Sequence, residues 1–164
     1  MKARNMAKEI EYLLGDLLLE KHKTIAVAES CTGGLVSGLV TNVPGCSKYF
    51  LGGIVAYSNQ SKLELLKISE TVIQSNGPVS RACANEMAQN VRKILRADIG
   101  VGITGIAGPG GGTDANPVGS VYVAVSDGSK TVCKLFKIEG DRGEIREKSG
   151  LSALKMAKDF VGEM

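Results

Sequence analysis

Residues 24–34 have the sequence TIAVAESCTGG, and this stretch decides the fold. The apolar run 24–28 is typical of a buried strand, and the polar, glycine-rich residues that follow it predict a tight turn. Small apolar residues at 35–41 then predict a helix. A strand, a turn and a helix in this order form the unit from which α/β folds are built. Ser30 lies in the turn and is the first candidate for chemistry.

The rest of the chain continues the alternation of strands and helices and adds a late hairpin. Apolar spacing predicts helices over 3–21, with Met6 facing inward, from Ser58 or Asn59 onward, over 81–96, and around Ile145 to Phe160. The predicted strands cover 51–57, 99–104, 119–126 and 131–138, and the turn at 127–130 joins the last two as a hairpin. The predicted fold class is therefore α/β: a three-layer α/β/α domain with a mixed sheet, formed by residues 1–164 as a single domain.

Composition excludes several classes of function. The apolar stretches of this 164-residue chain fall short of the ~20 residues that a membrane span requires, and its start lacks a signal-peptide pattern. We therefore expect a cytoplasmic protein with no membrane partner. A net charge of +3 with 4% aromatic residues argues against nucleic acid as a partner and favours a small anionic ligand. The four cysteines form no C-x-x-C pair, which favours reduced thiols over a zinc site.

The single histidine, His22, limits the catalytic options, because neither a Ser–His–Asp triad nor a multi-histidine metal site can readily be built from it. A lysine with a depressed pKa can replace histidine as the base for a serine nucleophile. If Asn59 caps its helix, Lys62 is the third helical residue, where the positive helix end disfavours an ammonium ion. The alternatives are an exposed Lys62 and a Ser30 that only caps a helix. Tyr57 can hydrogen-bond to either residue or to a substrate, or it can simply pack.

Three loops leave the predicted ends of strands, at Ser30, Tyr57 and Gly105. If those strands are parallel neighbours, one cleft collects all three loops. The N–H groups of 31–34 at a helix start, and those of the glycine-rich loop 105–117, can hold an oxyanion or a phosphate. The alternative for the glycines is that they only form turns.

Two motif matches carry no function. The G-x-G-x-x-G match at 100–105 lies within a predicted strand, and the Gly/Pro-rich residues after it cannot open the helix that a dinucleotide site requires. The S-x-x-K match of Ser152 and Lys155 lies on the closing amphipathic helix without a glycine-rich neighbour. We interpret it as a helix face.

Several separate motifs occur in a fixed order along the chain. They are AESCTGG at 28–34, Tyr57-Ser-Asn59 with Lys62, GITGIAGP at 102–109, PVG at 117–119 and GDR at 140–142. Together they resemble the CinA C-terminal domain family over almost the whole chain, from about residue 5. This family includes stand-alone nicotinamide-nucleotide amidases of the PncC type, which convert nicotinamide mononucleotide to nicotinate mononucleotide and ammonia. We expect the N-terminal pyrophosphatase-like domain of full-length CinA proteins to be missing here.

The resemblance implies an amidase with a Ser/Lys dyad that needs no metal and no cofactor. Ser30 would be the nucleophile, Lys62 its base and Tyr57 a third participant. The implied substrate-binding residues are Cys31, Thr32, Gly33, Gly34, Asn59, Thr104, Gly105, Ala107, Gly108 and Arg142, where Arg142 can hold a phosphate or carboxylate with two N–H groups. The expected partners are nicotinamide mononucleotide and further copies of the chain in a homo-oligomer. Two alternatives stay open: a catalytically weak pyridine-nucleotide-binding module, and a competence- or damage-related interaction domain.

Overall fold

The protein is described from a computed structural model, which covers residues 2–164 and gives side chains from Ile10 onward. The inward position expected for the Met6 side chain lies outside the described residues. The helices in the described chain are α1 (Lys2–Glu20), α2 (Leu35–Thr41), α3 (Asn59–Leu66), α4 (Glu70–Asn76), α5 (Arg81–Leu95) and α6 (Arg142–Gly162). The strands are β1 (Ile25–Glu29), β2 (Phe50–Val55), β3 (Ile99–Gly105), β4 (Ser120–Ser126) and β5 (Thr131–Lys137).

The strands form one mixed sheet in the order β2-β1-β3-β4-β5. Strand β1 lies between β2 and β3 and runs parallel to both. Strands β4 and β5 are antiparallel and form the predicted hairpin, in which Ser126 pairs with Thr131. Because β2, β1 and β3 are parallel neighbours, their carboxyl ends meet at one edge of the sheet, which is the condition for a shared cleft.

Helices cover both faces of this sheet, so the predicted three-layer α/β/α architecture is confirmed. Alternate residues of β1 point to opposite faces, as the pleat requires. Ile25 and Val27 pack in the core formed with α1, α2 and α6, whereas Ala26 and Ala28 pack in a smaller core formed with α3, α4 and α5. None of the helices in the described part of the chain has the length and apolar character that a membrane crossing needs.

The rejected G-x-G-x-x-G match has a structural explanation in the contact between β3 and α5. A Cβ atom on Gly100 would lie 1.9 Å from the carbonyl oxygen of Ala88, and one on Gly102 would lie 2.5 Å from that of Ala84. Both distances are far below van der Waals contact. These glycines therefore let the α5 backbone approach the sheet closely. They face the middle of α5 rather than the N-terminus of a helix, which is where a dinucleotide would bind.

Two local features differ from the sequence-based expectations. Helix α4 was not anticipated, because its sequence ETVIQSN has only two apolar residues, Val72 and Ile73, which are adjacent and show no helical spacing. Its cap is Ser69, whose hydroxyl accepts a hydrogen bond from the Val72 N–H. Ser58 rather than Asn59 caps α3, because its hydroxyl accepts from the Ser61 N–H at 3.0 Å. Lys62 is therefore the fourth helical residue, not the third. The argument that its pKa is lowered at the third position, which assumed Asn59 as the cap, is therefore wrong.

Candidate active site

Ser30 and Lys62 meet at the carboxyl edge of the sheet. Ser30 directly follows β1, and Lys62 lies near the start of α3. The Nζ atom of Lys62 lies 2.9 Å from the Oγ atom of Ser30 and 3.3 Å from the carbonyl oxygen of Tyr57. Ser30 is 7% exposed and Lys62 only 2%. The alternative of a solvent-exposed lysine therefore does not describe this chain.

Burial gives Lys62 the property that a base needs. It lowers the pKa of the amine below its ordinary value of 10.5, because removal from water disfavours the ammonium form, and the nearby thiols of Cys83 and Cys31 only partly oppose this effect. A neutral amine at 2.9 Å can accept the Ser30 hydroxyl proton. The pair can thus generate a serine nucleophile without a histidine.

A cavity of about 240 Å³ lies next to this pair. The loops after β1, β2 and β3 all contribute to its wall, as the parallel order of the strands requires. Among the described residues, the charged side chains that line it are Lys62 and Arg142, and no carboxylate does so. The cavity therefore suits a ligand that carries negative charge.

Most of the expected site residues line this cavity. Those at the wall are Ser30, Cys31, Tyr57, Asn59, Lys62, Thr104, Gly105, Ala107, Gly108 and Arg142. Thr32, Gly33 and Gly34 are not among them, so the structure does not bring these three expected residues to the cavity wall. The Gly33 N–H donates to the carbonyl oxygen of Ser30, and the Gly34 N–H donates to a carboxylate. Both groups are thereby occupied within the turn itself.

That carboxylate belongs to Glu29, which the sequence analysis did not single out. Its side chain is fully buried and accepts hydrogen bonds from the N–H groups of Gly34, Val36 and Ser37 and from the Ser37 hydroxyl. The start of α2 is thus already neutralised by an internal anion, so it is not a free site for a phosphate. The available sequence signal was a charged residue that ends an otherwise apolar strand, directly before the candidate nucleophile.

Arg142 and Tyr57 form the mouth of the cavity. One guanidinium N–H group of Arg142 donates to the Tyr57 hydroxyl at 2.8 Å, and another donates to the Gly108 carbonyl oxygen at 2.7 Å. The Tyr57 residue is 55% exposed. The expected hydrogen bond from its phenol group to Ser30 or Lys62 is absent among the described contacts, and the Tyr57 backbone carbonyl contacts Lys62 instead.

Further wall residues come from a loop that sequence reasoning missed. Pro78 and Val79 precede α5 and line the cavity. Ile106, Gly110 and Gly111 also line it, but they belong to the glycine-rich loop 105–117 that the sequence indicated. The hydroxyl of Thr104, one of the expected substrate-binding residues, donates to the Pro78 carbonyl oxygen at 2.7 Å. The Asn116 side chain donates to the Val79 carbonyl oxygen and thereby ties loop 105–117 to the same segment.

Cys31 offers a second nucleophile beside Ser30, but its environment disfavours that role. Burial raises the pKa of its thiol to about 11, against the smaller opposite effects of its backbone hydrogen bond and of Lys62. At neutral pH the sulfur is therefore protonated, whereas the reactive form of cysteine is the thiolate. Ser30 is the side chain that a base can activate.

Comparison with known proteins identifies a family. The model of the CinA C-terminal domain matches residues 7–161. A CinA-like protein of Koribacter versatilis is 48% identical over 151 residues, which cover 92% of this chain and 36% of that protein. The chain spans 35–38% of the length of the first curated relatives that it matches.

Solved structures agree with this match in fold and in extent. The competence/damage inducible protein CihA from Agrobacterium tumefaciens is 33% identical, with a TM-score of 0.89 over 92% of this chain and 93% of that one. The competence damage-inducible protein A from Klebsiella pneumoniae is 26% identical, with a TM-score of 0.92 over 95% of this chain and 97% of that one. The family match and these likenesses extend over nearly the whole chain, which therefore belongs to the CinA C-terminal domain family.

Proposed function

We propose that this chain, as a single amidase domain, hydrolyses the carboxamide of nicotinamide mononucleotide to nicotinate mononucleotide and ammonia. The observation that carries the proposal is the buried contact of 2.9 Å between Lys62 Nζ and Ser30 Oγ beside a cavity without carboxylates. Membership of the CinA C-terminal domain family supports it, since the same motifs occur in amidases of that family. The names of the related proteins, CinA-like protein and competence/damage inducible protein, leave the reaction open.

In the first step, neutral Lys62 takes the Ser30 proton as Oγ attacks the carbon of the carboxamide. The oxyanion that forms needs nearby N–H donors. Ser30 donates its own N–H to the Ile103 carbonyl oxygen, so the next amide, that of Cys31, is the donor that we assign to this role. Lys62 then returns the proton to the amide nitrogen, and the C–N bond breaks with release of ammonia. Ser30 is left as a nicotinoyl ester.

Water completes the reaction by the same route. Lys62 takes a proton from the water molecule that attacks the ester carbon, and then returns it to Ser30 Oγ as the C–O bond breaks. The product is a carboxylic acid that releases its proton to solvent and leaves as the carboxylate, and both side chains end in their starting states. No metal takes part in this scheme.

The mouth of the cavity suits the phosphate end of the substrate. A volume of about 240 Å³ is small for a whole nucleotide, since pockets for ligands of drug size measure about 300–1,000 Å³. We therefore place the nicotinamide ring inside and the ribose phosphate at the mouth. Arg142 is exposed there and uses two of its five N–H donors on Tyr57 and Gly108, so it retains donors for a phosphate.

The test is ammonia release from nicotinamide mononucleotide by the purified chain and its Ser30→Ala variant. We expect the variant to lose activity by about 10³-fold or more, as for other serine nucleophiles. The controls are Ser152→Ala and Lys155→Met on α6, away from the cavity, where the lysine is exposed and the serine hydroxyl donates to the backbone carbonyl oxygen of Lys148. Both controls should keep the parent rate.

Two outcomes would contradict the proposal. Equal rates for the parent chain and Ser30→Ala would exclude Ser30 as the nucleophile. Binding of nicotinamide mononucleotide by the parent chain without any ammonia release would instead indicate a binding module in which Lys62 stays protonated.

A further inference from the structure

We infer that Glu29 is a positioning residue that holds the Ser30 hydroxyl against Lys62 by fixing the turn between β1 and α2. This inference rests on the proposed function, because it concerns the same nucleophile. Glu29 does not line the cavity and contacts neither Lys62 nor the space for substrate. Its effect passes through the backbone of the turn alone.

The carboxylate of Glu29 is bound on both oxygens. Oε2 accepts from the N–H groups of Gly34 and Val36, each at 3.0 Å. Oε1 accepts from the N–H of Ser37 at 2.8 Å and from its hydroxyl at 2.7 Å. Hydrogen bonds to an ionised acceptor are the strong ones, and the side chain is fully buried. Four donors thus share one internal anion.

This arrangement replaces the usual cap of a helix. An N-cap side chain normally accepts from the first N–H groups of its own helix. The N-cap of α2 is Gly34, which has no side chain and adopts a φ of +96°. The capping oxygen therefore comes from Glu29, five positions earlier. The hydrogen bond from the Gly34 N–H to this side chain closes a ring that contains the backbone of residues 29–34, including Ser30.

The strand side of this ring is fixed as well. The backbone carbonyl of Glu29 accepts from the Ala56 N–H at 2.8 Å, just beyond β2. The Ser30 N–H donates to the Ile103 carbonyl oxygen on β3 at 3.0 Å. Main-chain bonds thus hold Glu29 and Ser30 to the sheet, while the Glu29 side chain holds the helix. The Ser30 side chain lies at the junction of the two.

A Glu29→Gln variant keeps the size of the side chain but breaks this pattern. Each carboxylate oxygen of Glu29 accepts hydrogen bonds from two donor groups. In the variant, an amide NH₂ group, which is itself a donor, takes the place of one of these oxygens. The start of α2 must then move to find other acceptors, and Ser30 moves with the turn. Displacement of a reacting group by about 1 Å can lower a rate by about 10²-fold.

The experiment compares three variants of the full chain. Glu29→Gln disrupts the carboxylate, and Ser37→Ala removes one of its four donors while the backbone bonds stay. The control, Ser69→Ala, removes the cap of α4, which is another helix N-terminus. Each variant is measured for thermal unfolding, for kcat and KM with nicotinamide mononucleotide, and for labelling of Ser30 by a fluorophosphonate. In this labelling Oγ bonds to phosphorus and displaces fluoride, which reports the nucleophile independently of the amide substrate.

We expect the labelling rate per folded molecule to fall about 10–100-fold in Glu29→Gln and about 2–10-fold in Ser37→Ala. The value of kcat should fall in parallel while KM stays within about twofold, because Glu29 is absent from the cavity wall. Ser69→Ala should lower thermal stability and leave the labelling rate per folded molecule unchanged.

A purely structural role for Glu29 would give a different pattern. Both Glu29→Gln and Ser37→Ala would then lose stability but label at the parent rate once corrected for the folded fraction, and this result overturns the inference. If Glu29→Gln does not fold, Ser37→Ala decides alone by the same criterion. A parent chain that the probe does not label at Ser30 overturns the proposed nucleophile itself, which is a separate and recognisable failure.

Discussion

Lys62 combines a buried position with an amine that is charged in ordinary surroundings. Its contacts, the Ser30 hydroxyl and the Tyr57 carbonyl oxygen, form an environment without a carboxylate among the described cavity residues. A buried lysine without an acidic partner loses its charge more readily, because neutral acceptors replace the lost hydration of the ammonium form only in part. The property that makes it a base therefore also makes it unfavourable for folding.

A Lys62→Met variant should test this link at a single residue. The pKa of Lys62 is lower in the folded chain than in the unfolded one because of burial, so at neutral pH the unfolded chain binds the proton more tightly. We expect the variant to lose ammonia release but to gain about 0.5–2 kcal/mol in free energy of unfolding at pH 7. The gain should shrink as the pH rises towards 10.5, where the unfolded lysine also loses its proton. Urea denaturation at several pH values measures it.

The control for that variant is Lys155→Met, which replaces an exposed lysine of α6. Its free energy of unfolding should stay within about 0.5 kcal/mol of the parent value. A Lys62→Met variant less stable than the parent at pH 7 would contradict the expected sign.

The pH dependence of catalysis should follow from the same amine. Only neutral Lys62 can take the Ser30 proton, so kcat/KM should rise with pH and level off above the pKa of Lys62, at a pH below 10.5. Ammonia release between pH 6 and 10 gives this profile. A rate that falls steadily over that range would indicate that the protonated amine is the active form.

At the scale of elements, the contact between α5 and β3 depends on the absence of side chains. Gly100 and Gly102 face α5, where the backbones approach too closely for any Cβ atom. Adding even one methyl group to a tightly packed contact forces the backbone to move. The position of α5 in turn determines where Pro78 and Val79, just before it, reach the cavity.

A Gly102→Ala variant should therefore be destabilised by about 1–3 kcal/mol, since the new methyl carbon would lie 2.5 Å from the Ala84 carbonyl oxygen. The matched control is Gly38→Ala in α2, where no atom lies within 4 Å of the added Cβ. That change should stabilise the chain by about 0.5–1 kcal/mol, because alanine favours a helix over glycine. Thermal unfolding of both variants gives the comparison. A destabilised Gly38→Ala variant would show that glycine has another role there.

The elements also show what sequence reasoning can and cannot reach. The unit of β1 and α2 and the hairpin of β4 and β5 were anticipated, because periodicity and turn residues are local signals. Helix α4 was missed because its only apolar residues, Val72 and Ile73, are adjacent and show no helical period. The choice of Ser58 over Asn59 as the cap of α3 depends on which hydroxyl reaches the Ser61 N–H, a matter of geometry rather than pattern.

At the scale of the whole molecule, the candidate site is assembled from segments far apart along the chain. Ser30 and Lys62 were found by chemistry, since one histidine left lysine as the remaining base. The position of Pro78 at the cavity wall depends on tertiary contacts, which no local pattern encodes. The Glu29 hydrogen bonds reach only residues 34–37, but they depend on the exact geometry of the turn, which the sequence pattern does not show either. The side chain of Arg142 then joins the last helix to two of these segments.

Because several segments meet at the cavity, a bound ligand should stabilise the whole fold. We expect nicotinate mononucleotide at 100 times its Kd to add about 2.7 kcal/mol to the Ser30→Ala variant, which corresponds to a rise in Tm of roughly 5–11 °C. At the same ligand concentration, two changes should each reduce the rise in Tm: replacing the ligand by nicotinate riboside, which lacks the phosphate, and adding the substitution Arg142→Gln to the protein. Differential scanning calorimetry measures all three. An equal rise in all three would place the phosphate away from Arg142.

The reacting pair and the loop that lines the cavity belong to different parts of the fold, which has a consequence for engineering. The reacting pair belongs to the end of β1 and to α3, whereas much of the opposite wall belongs to loop 105–117. We expect that loop exchange between relatives can alter which amides are admitted while the dyad stays intact, so that substrate range and reaction type can evolve separately in this fold.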